Sequence, residues 1–166
     1  MSTGKIMDLL KQCEHFDKDN RFMAAMDLCQ EVQRLSEQQK IEEALEKRIC
    51  AAFIKHLDDS SLDVQTNAIR SIQQVAGIIK EQHLVMIVET LADKVVGDGK
   101  KDVRDVYSLA IRSIIHQLHD MAAVNMIRAV YPKLMKGLKT GQEEIKEECL
   151  EILTEIFKNF TQLLIK

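Results

Sequence analysis

The sequence DVQTNAIRSIQQVAGII, residues 63–79, decides the fold class. Its apolar and small side chains fall at offsets of 0, 4, 5, 8, 11, 12 and 15 from the first of them, Val64. The set is Val64, Ala68, Ile69, Ile72, Val75, Ala76 and Ile79. These offsets place all the side chains on one face of an α-helix. We call this set of offsets the frame, and it predicts an amphipathic helix with one buried face.

The frame recurs three more times along the chain. It fits without a gap at Ile145, Cys149, Leu150, Leu153, Ile156, Phe157 and Phe160. It fits with one polar residue, Gln117, at Val106, Ala110, Ile111, Ile114, Leu118 and Met121, and most loosely at Ala24, Ala25, Leu28, Val32 and Leu35. The small position falls at Ala24, Ala68, Ala110 and Cys149, so the helices repeat about every 40 residues, a period typical of stacked helical pairs. The sequence therefore predicts an all-α fold, an α-solenoid of four HEAT-like helical pairs with about eight helices.

The first helix of each pair is predicted from the segments between the frames. These helices cover about residues 5–16, 41–57 and 81–96, and the fourth carries Val124, Ile127, Tyr131, Leu134 and Leu138. Pro132 lies inside the fourth and should kink it, because proline lacks an amide hydrogen and its ring crowds the preceding turn. The sequence GDGKKD, residues 97–102, is the clearest predicted loop.

We expect residues 1–166 to form a single HEAT-repeat segment at the start of a longer array. Its repeats should lie at approximately residues 5–37, 39–80, 81–118 and 120–166. The sequence ends in FTQLLIK, which places Phe160, Leu163, Leu164 and Ile165 near an open end of the array. Repeat arrays normally end in a polar capping repeat. We therefore expect the remainder of the solenoid, or a second chain, to cover this end.

An acidic residue stands immediately before each frame. The four are Asp19, Asp63, Asp105 and Glu144. A carboxylate at this position can cap free backbone N–H groups and lies at the positive end of the helix dipole. We interpret these residues as helix-start chemistry.

Composition and charge exclude several functional classes. A formal net charge of −3 and a pI near 6.0 argue against nucleic-acid binding, which depends on clustered cations. No segment has the roughly 20 apolar residues of a membrane span, and the amino terminus lacks a secretory signal. The four cysteines form no CxxC pair, which is typical of buried thiols in a reducing compartment. These features predict a cytoplasmic or nuclear protein.

The sequence contains no convincing catalytic site. His116 and His119 could share a metal ion, but no nearby cysteine or carboxylate completes a ligand set. Neither a Gly-rich phosphate loop, nor GxSxG, nor HExxH is present. We predict a protein that is not an enzyme and that has no metal or cofactor.

The exposed line of the second helices is the predicted binding surface, because solenoids bind partners along that line. Its candidate residues are Phe22, Met26, Arg70, Gln74, Ser108, Arg112, His116, Glu147, Glu151 and Glu155. We call them the binding line. Phe22 and Met26 would be apolar anchors, and Arg70 with Arg112 would pair a carboxylate strip. The alternative is that Phe22 and Met26 pack beneath the amino-terminal helix and that both arginines only keep the surface soluble.

Several segments share residues beyond the helical periodicity: DKDNRFMAAMDLCQEVQ (residues 17–33), LDDSSLDVQTNAIRSI, VETLADKV and KKDVRDVYSLAIRSII. These segments resemble the cullin-associated, neddylation-dissociated (CAND) family of long HEAT-repeat solenoids. The first is similar to the family's first repeat, and the others keep the order of its second and third repeats. Two departures are Asn20, where the family tends to carry an aromatic residue, and the missing proline-rich link after Leu118.

The resemblance implies a function. CAND proteins wrap around cullin–RING ubiquitin ligase scaffolds that lack the ubiquitin-like modifier, and they help to exchange substrate-receptor modules. It also implies that this amino-terminal segment lies near the cullin carboxy-terminal region and its RING subunit. The alternative function is a fragment of a nuclear-transport carrier or another interaction scaffold. The absence of Trp and the presence of Arg70 and Arg112 weigh against a carrier.

Overall fold

A computed structural model describes residues 2–38, 41–97 and 99–165, except for the side chains of Ser2, Asp120 and residues 162–165. Within this description the chain forms eight α-helices and no strands. They are α1 (Ser2–Gln12), α2 (Lys18–Glu37), α3 (Glu43–His56), α4 (Leu62–Val75), α5 (Glu81–Val96), α6 (Lys101–Ile115), α7 (Asp120–Thr140) and α8 (Glu143–Ile165). The predicted all-α class is confirmed.

The chain divides into two compact units, and the division falls inside α5. The first unit is Met1–His83 and the second is Leu84–Lys166. In the first unit α1 packs against α2, α2 against α4, and α3 against α4. In the second unit α7 and α6 both pack against α8. Within each unit, therefore, second helices of successive pairs contact each other, as stacked helical pairs do.

The frame describes the buried face of the second helices. The small positions Ala24, Ala68, Ala110 and Cys149 are all buried. In α4 the apolar residues Val64, Ile72 and Val75 are buried with them, because a continuous apolar face removed from water is the main favourable term in packing. The predicted inward phase of these helices is confirmed.

Three frame positions were assigned to the core wrongly. Leu150 and Phe157 on α8 are 54% and 51% exposed, and Met121 is 60% exposed and lies in α7 rather than α6. Leu150 and Phe157 are seven residues apart and share one helix face. A frame identifies the apolar sides of a helix, but only a neighbouring element can bury each of them.

The starts of α2 and α4 use different caps from those predicted. The Asp17 carboxylate accepts a hydrogen bond from the Asp19 amide at 2.9 Å, and the Ser61 hydroxyl accepts one from the Val64 amide. Asp19 and Asp63 lie in the first turns, where they still complement the helix dipole. Asp105 is the clearest error, because α6 begins at Lys101 and Asp105 is already inside it.

Three further predictions concerned the kink at Pro132, the last residues of the chain and the loop 97–102. Pro132 lies inside α7 without ending it, and the interruption in helical dihedral angles occurs at Phe160 of α8 (φ −125°, ψ 26°). Phe160 is buried, whereas the side chains at positions 163–165 lie outside the described residues. Within the predicted loop 97–102, α6 already begins at Lys101, and Asp98 is outside the description.

A buried carboxylate connects α3 to the segment that leads into α5. Glu46 is only 4% exposed, and its Oε1 accepts hydrogen bonds from the Lys80 amide at 2.7 Å and from His83 Nδ1 at 2.6 Å. The Lys80 ammonium lies 3.4 Å from its other oxygen. Buried charges of this kind are tolerated only where they are paired and hydrogen-bonded, so Glu46 fixes the α4–α5 connection against α3.

A buried guanidinium plays the corresponding part in the second unit. Arg104 donates from Nε to the Val95 carbonyl at 3.0 Å and from Nη2 to the carbonyls of Gly97 and Gly99 at 3.3 and 3.0 Å. These carbonyls belong to the end of α5 and the turn that follows, where helical acceptors lack partners within the helix. Arg104 therefore caps α5 from the first turns of α6.

All four cysteines are free and buried, as the sequence predicted. Burial raises the pKa of the Cys13 and Cys149 thiols to about 11 and that of Cys50 to about 12, because the interior disfavours the thiolate. Burial also raises the pKa of Cys29. These thiols act as small apolar core residues.

No helix in the described ranges has both the length and the apolar character needed to span a bilayer.

Candidate protein-interaction surface

The first unit brings the apolar and cationic parts of the binding line onto two helices in contact. Phe22 is half-buried and Met26 is 37% exposed on α2, while Arg70 and Gln74 are exposed on α4. The Cys29 thiol donates a hydrogen bond across the helix interface to the Gln74 side-chain oxygen at 3.2 Å. This contact orients Gln74 along the α2–α4 seam.

Met23 also belongs to this surface, although the binding line predicted from the sequence does not include it. Its side chain is 61% exposed, and it lies three residues from Met26 on the same side of α2. Methionine side chains are flexible and polarisable, which suits them to irregular protein contacts. The sequence does contain an indication of this surface, because two methionines lie three residues apart in the helix that fits the frame most loosely.

Arg70 is the one cation of the binding line in the first unit, and within the described residues no carboxylate lies in ion-pair range of it. Its charge is therefore available to a partner. A guanidinium suits that task, because its planar fork matches a carboxylate and is weakly hydrated.

In the second unit the charges of the binding line pair with each other. Arg112 Nη1 lies 3.6 Å from a Glu151 oxygen, and His116 Nε2 lies 3.6 Å from a Glu155 oxygen. Both contacts join α6 to α8. Exposed pairs of this kind contribute only about 0–1 kcal/mol each. They nevertheless give each of these four side chains a partner within the chain. Arg112, which was expected to pair a carboxylate strip of a partner, therefore already has a carboxylate neighbour within the chain, whereas Glu147 on the same face is exposed.

Ser108 is a second correction, because its side chain is fully buried rather than exposed. It lies near Glu148, a half-buried carboxylate on α8 that is not part of the predicted binding line. Burial raises the pKa of Glu148, the neighbouring carboxyl groups of Asp105 and Glu151 raise it further, and Ser108 opposes the increase only in part. Asp105 thus faces α8 as part of this carboxyl cluster.

Replacing Glu148 with glutamine should stabilise the second unit at pH 8. A raised folded-state pKa means that the protonated carboxyl favours folding, so its stabilisation is present at low pH and is lost as pH rises through the raised pKa. The glutamine side chain does not ionise, so the variant keeps this stability as the pH rises. We expect a gain on the order of 1 kcal/mol or less, since the partly exposed group is screened by solvent.

Thermal unfolding followed by circular dichroism at pH 4 and pH 8 measures this effect. The matched control is Glu147→Gln, because Glu147 is the exposed neighbour of Glu148. Glu148→Gln should raise the melting temperature more at pH 8 than at pH 4, and the control should change little at either. A lower melting temperature for Glu148→Gln at pH 8 would contradict the repulsion argued from this cluster.

The histidines considered as metal ligands do not form a site. His116 Nε2 faces Glu155, and His119 is exposed immediately before α7. Across residues 2–38, 41–97 and 99–165, no three side chains of His, Cys, Asp or Glu are grouped as metal ligands would be.

The helical pairs and their exposed seam define a repeat protein of the armadillo/HEAT type. A designed armadillo repeat protein in complex with the peptide (KR)4 superimposes with a TM-score of 0.51 at 19% identity, covering 89% of this chain and 62% of that one. At this level of identity the likeness concerns the fold alone. No family model matches the sequence.

Sequence comparison finds relatives among the cullin-associated NEDD8-dissociated proteins. Cullin-associated NEDD8-dissociated protein 1 of Arabidopsis thaliana is 31% identical over 151 residues, and protein 2 of Mus musculus is 30% identical over 164 residues. Protein 1 of Drosophila melanogaster is 27% identical over 164 residues. The three alignments cover 89%, 94% and 97% of this chain, which spans 12–13% of the length of these relatives. The resemblance to the CAND family is confirmed, and the chain is a homologue of part of these proteins.

Proposed function

We propose that the chain is a non-catalytic HEAT-repeat scaffold that binds unmodified cullin–RING ubiquitin ligase cores and promotes exchange of their substrate-receptor modules. The observation that carries this proposal is the similarity to proteins named as cullin-associated and NEDD8-dissociated over 89–97% of the chain. The proposal places the chain among the amino-terminal repeats of such a protein, in the cytoplasm or nucleus. Its partners there are the cullin carboxy-terminal region and the RING subunit.

The seam between α2 and α4 is the part of the binding line best suited to that partner. Met23 and Met26 supply exposed apolar area beside Phe22, and Arg70 supplies a charge without an internal partner in the described structure. Binding energy in protein interfaces concentrates in desolvated apolar and arginine anchors, while charge complementarity governs orientation and on-rate. We therefore assign cullin contact to Phe22, Met23, Met26 and Arg70 before the paired residues of the second unit.

The variants Met23→Ala and Arg70→Glu should each weaken cullin binding about tenfold, the effect of losing one anchor worth about 1.4 kcal/mol. The measurement is a quantitative pull-down of purified cullin–RING core by the 166-residue chain, using unmodified and NEDD8-modified core in parallel. Wild-type chain should retain the unmodified core preferentially.

The chain offers matched controls for both variants. Lys47→Glu reverses an exposed charge on α3, and Met121→Ala removes an exposed methionine on α7. Both should bind like wild type, with helicity of all four variants checked by circular dichroism. Equal retention of modified and unmodified core, or of neither, would refute the proposed function. Normal binding by both seam variants would instead remove only the seam assignment.

A further inference from the structure

A cleft of about 260 Å³ lies between α1 and α3, on helices that the binding line does not use. Its floor includes Leu10, Cys13 and His56, which are all buried, together with the half-buried Ala52. The small alanine side chain leaves room between the two helices. The cleft is therefore large enough for one or two side chains of a bound molecule and has an apolar floor to receive one of them.

The rim of the cleft is cationic. Lys11, Arg48 and Lys55 line it, against a single carboxylate, Glu14, which pairs with Lys55 at 3.0 Å. Arg48 Nη1 lies 3.1 Å from the Met7 sulfur, a weak acceptor, and the carboxylate acting on its charge is Glu14, which already pairs with Lys55. The lining side chains thus keep two positive charges in excess, in a chain whose formal net charge is −3.

One buried polar atom in the floor also lacks a partner. His56 is 3% exposed, and its Nε2 lies 2.8 Å from the Cys13 carbonyl oxygen. A carbonyl can only accept, so Nε2 carries a hydrogen, and whenever the ring is neutral Nδ1 is an acceptor. Within the described structure nothing donates to Nδ1. Leaving a buried polar atom unpaired costs free energy, and because Nδ1 is itself enclosed, a ligand recovers that cost only where the cleft widens enough for a donor to reach Nδ1.

We propose that this cleft binds an acidic segment of a partner protein. Carboxylates of the segment pair with Lys11 and Arg48, an apolar side chain enters the floor beside Leu10, and a backbone N–H or a hydroxyl donates to His56 Nδ1. These three requirements favour a peptide over a simple anion, because inorganic phosphate has no apolar group for the floor. The site is separate from the α2–α4 seam, so it adds a second binding surface to the proposed scaffold.

Titration of the ¹⁵N-labelled 166-residue chain with acetyl-Glu-Leu-Glu-Leu-Glu-amide tests the proposal by NMR. The peptide should shift amide signals in residues 10–14 and 48–56. The matched peptide acetyl-Gln-Leu-Gln-Leu-Gln-amide should bind at least tenfold more weakly, and inorganic phosphate should not reproduce the shifts. The variants Lys11→Glu and Arg48→Glu should each weaken acidic-peptide binding about tenfold.

Lys47→Glu is the matched control, because Lys47 is exposed on the same helix as Arg48 but does not line the cleft. It should bind the acidic peptide like wild type. Absence of shifts at millimolar peptide, shifts outside the cleft, equal shifts with the glutamine peptide, or shifts with phosphate alone would each overturn the proposal. Unaltered binding by the Arg48→Glu chain, once its spectrum shows a native fold, would do so as well. These outcomes do not depend on cullin, so they are independent of the test of the proposed function.

Discussion

Replacing Glu46 with alanine should lower the free energy of unfolding of the first unit by about 2–4 kcal/mol, because two hydrogen bonds to a buried carboxylate are lost and each bond of this kind contributes about 1.5–3 kcal/mol. The change leaves His83 Nδ1 and the Lys80 amide without their shared acceptor at a site where Glu46 and His83 are each only 4% exposed. It also removes a fixed connection between α3 and the segment before α5. Urea unfolding followed by circular dichroism measures the loss.

The chain contains a matched control one turn earlier. Glu43 is exposed on α3 and accepts a hydrogen bond only at the surface, from Gln82. Glu43→Ala should cost about 0.5 kcal/mol or less, as surface substitutions usually do. The double variant Glu46→Leu/His83→Leu should recover part of the loss, because it removes the unpaired His83 ring, whereas the Lys80 amide still lacks its acceptor. A loss below 1 kcal/mol for Glu46→Ala would show that the pair is not buried as described.

Replacing Arg104 with methionine should be the most damaging single change at a charged residue of the second unit, at about 2–4 kcal/mol. Methionine keeps the apolar stem but leaves the carbonyls of Val95, Gly97 and Gly99 without their donor. Hydrogen bonds to charged groups contribute about 1.5–3 kcal/mol each, and water can replace part of that at the more exposed carbonyls. The end of α5 should consequently fray.

Hydrogen exchange at the last turn of α5, together with urea unfolding, measures this effect. Arg104→Lys keeps the charge but not the three-way donor geometry, and it should fall between wild type and Arg104→Met. The control is Arg128→Met, because Arg128 is exposed on α7. If Arg104→Met and Arg128→Met unfold at the same urea concentration, the capping role of Arg104 is refuted.

Periodicity alone was sufficient for the helices and their inward phase. The recurrence of Ala24, Ala68, Ala110 and Cys149 about every 40 residues reports a packing requirement that each helix carries in its own sequence. The periodicity does not indicate which apolar sides of a helix pack against a neighbouring helix. Leu150 and Phe157 satisfy the same offsets as buried residues and are nevertheless exposed.

The apolar periodicity could not predict the buried charged residues either, because their burial also depends on contacts from other segments. Glu46 lies in EEALEKR and Arg104 in KKDVRDV, and both segments resemble solvated charged turns of a helix. Their burial depends on acceptors or donors that the fold brings from residues 80–83 and 95–99. Likewise, Arg112 looks available in sequence, and only the packing of α6 on α8 pairs it with Glu151.

The buried thiols have a practical consequence for work on this chain. Alkylating reagents attack thiolates. In the folded chain these thiols are buried and their raised pKa keeps them protonated, so almost no thiolate is available to the reagent. Cys13, Cys29 and Cys50 lie in the first unit and Cys149 lies in the second. The rate of iodoacetamide incorporation at each cysteine therefore reports how often the surrounding helices open transiently. Mass spectrometry of the two sets of peptides can compare local opening in the two units without introducing new cysteines.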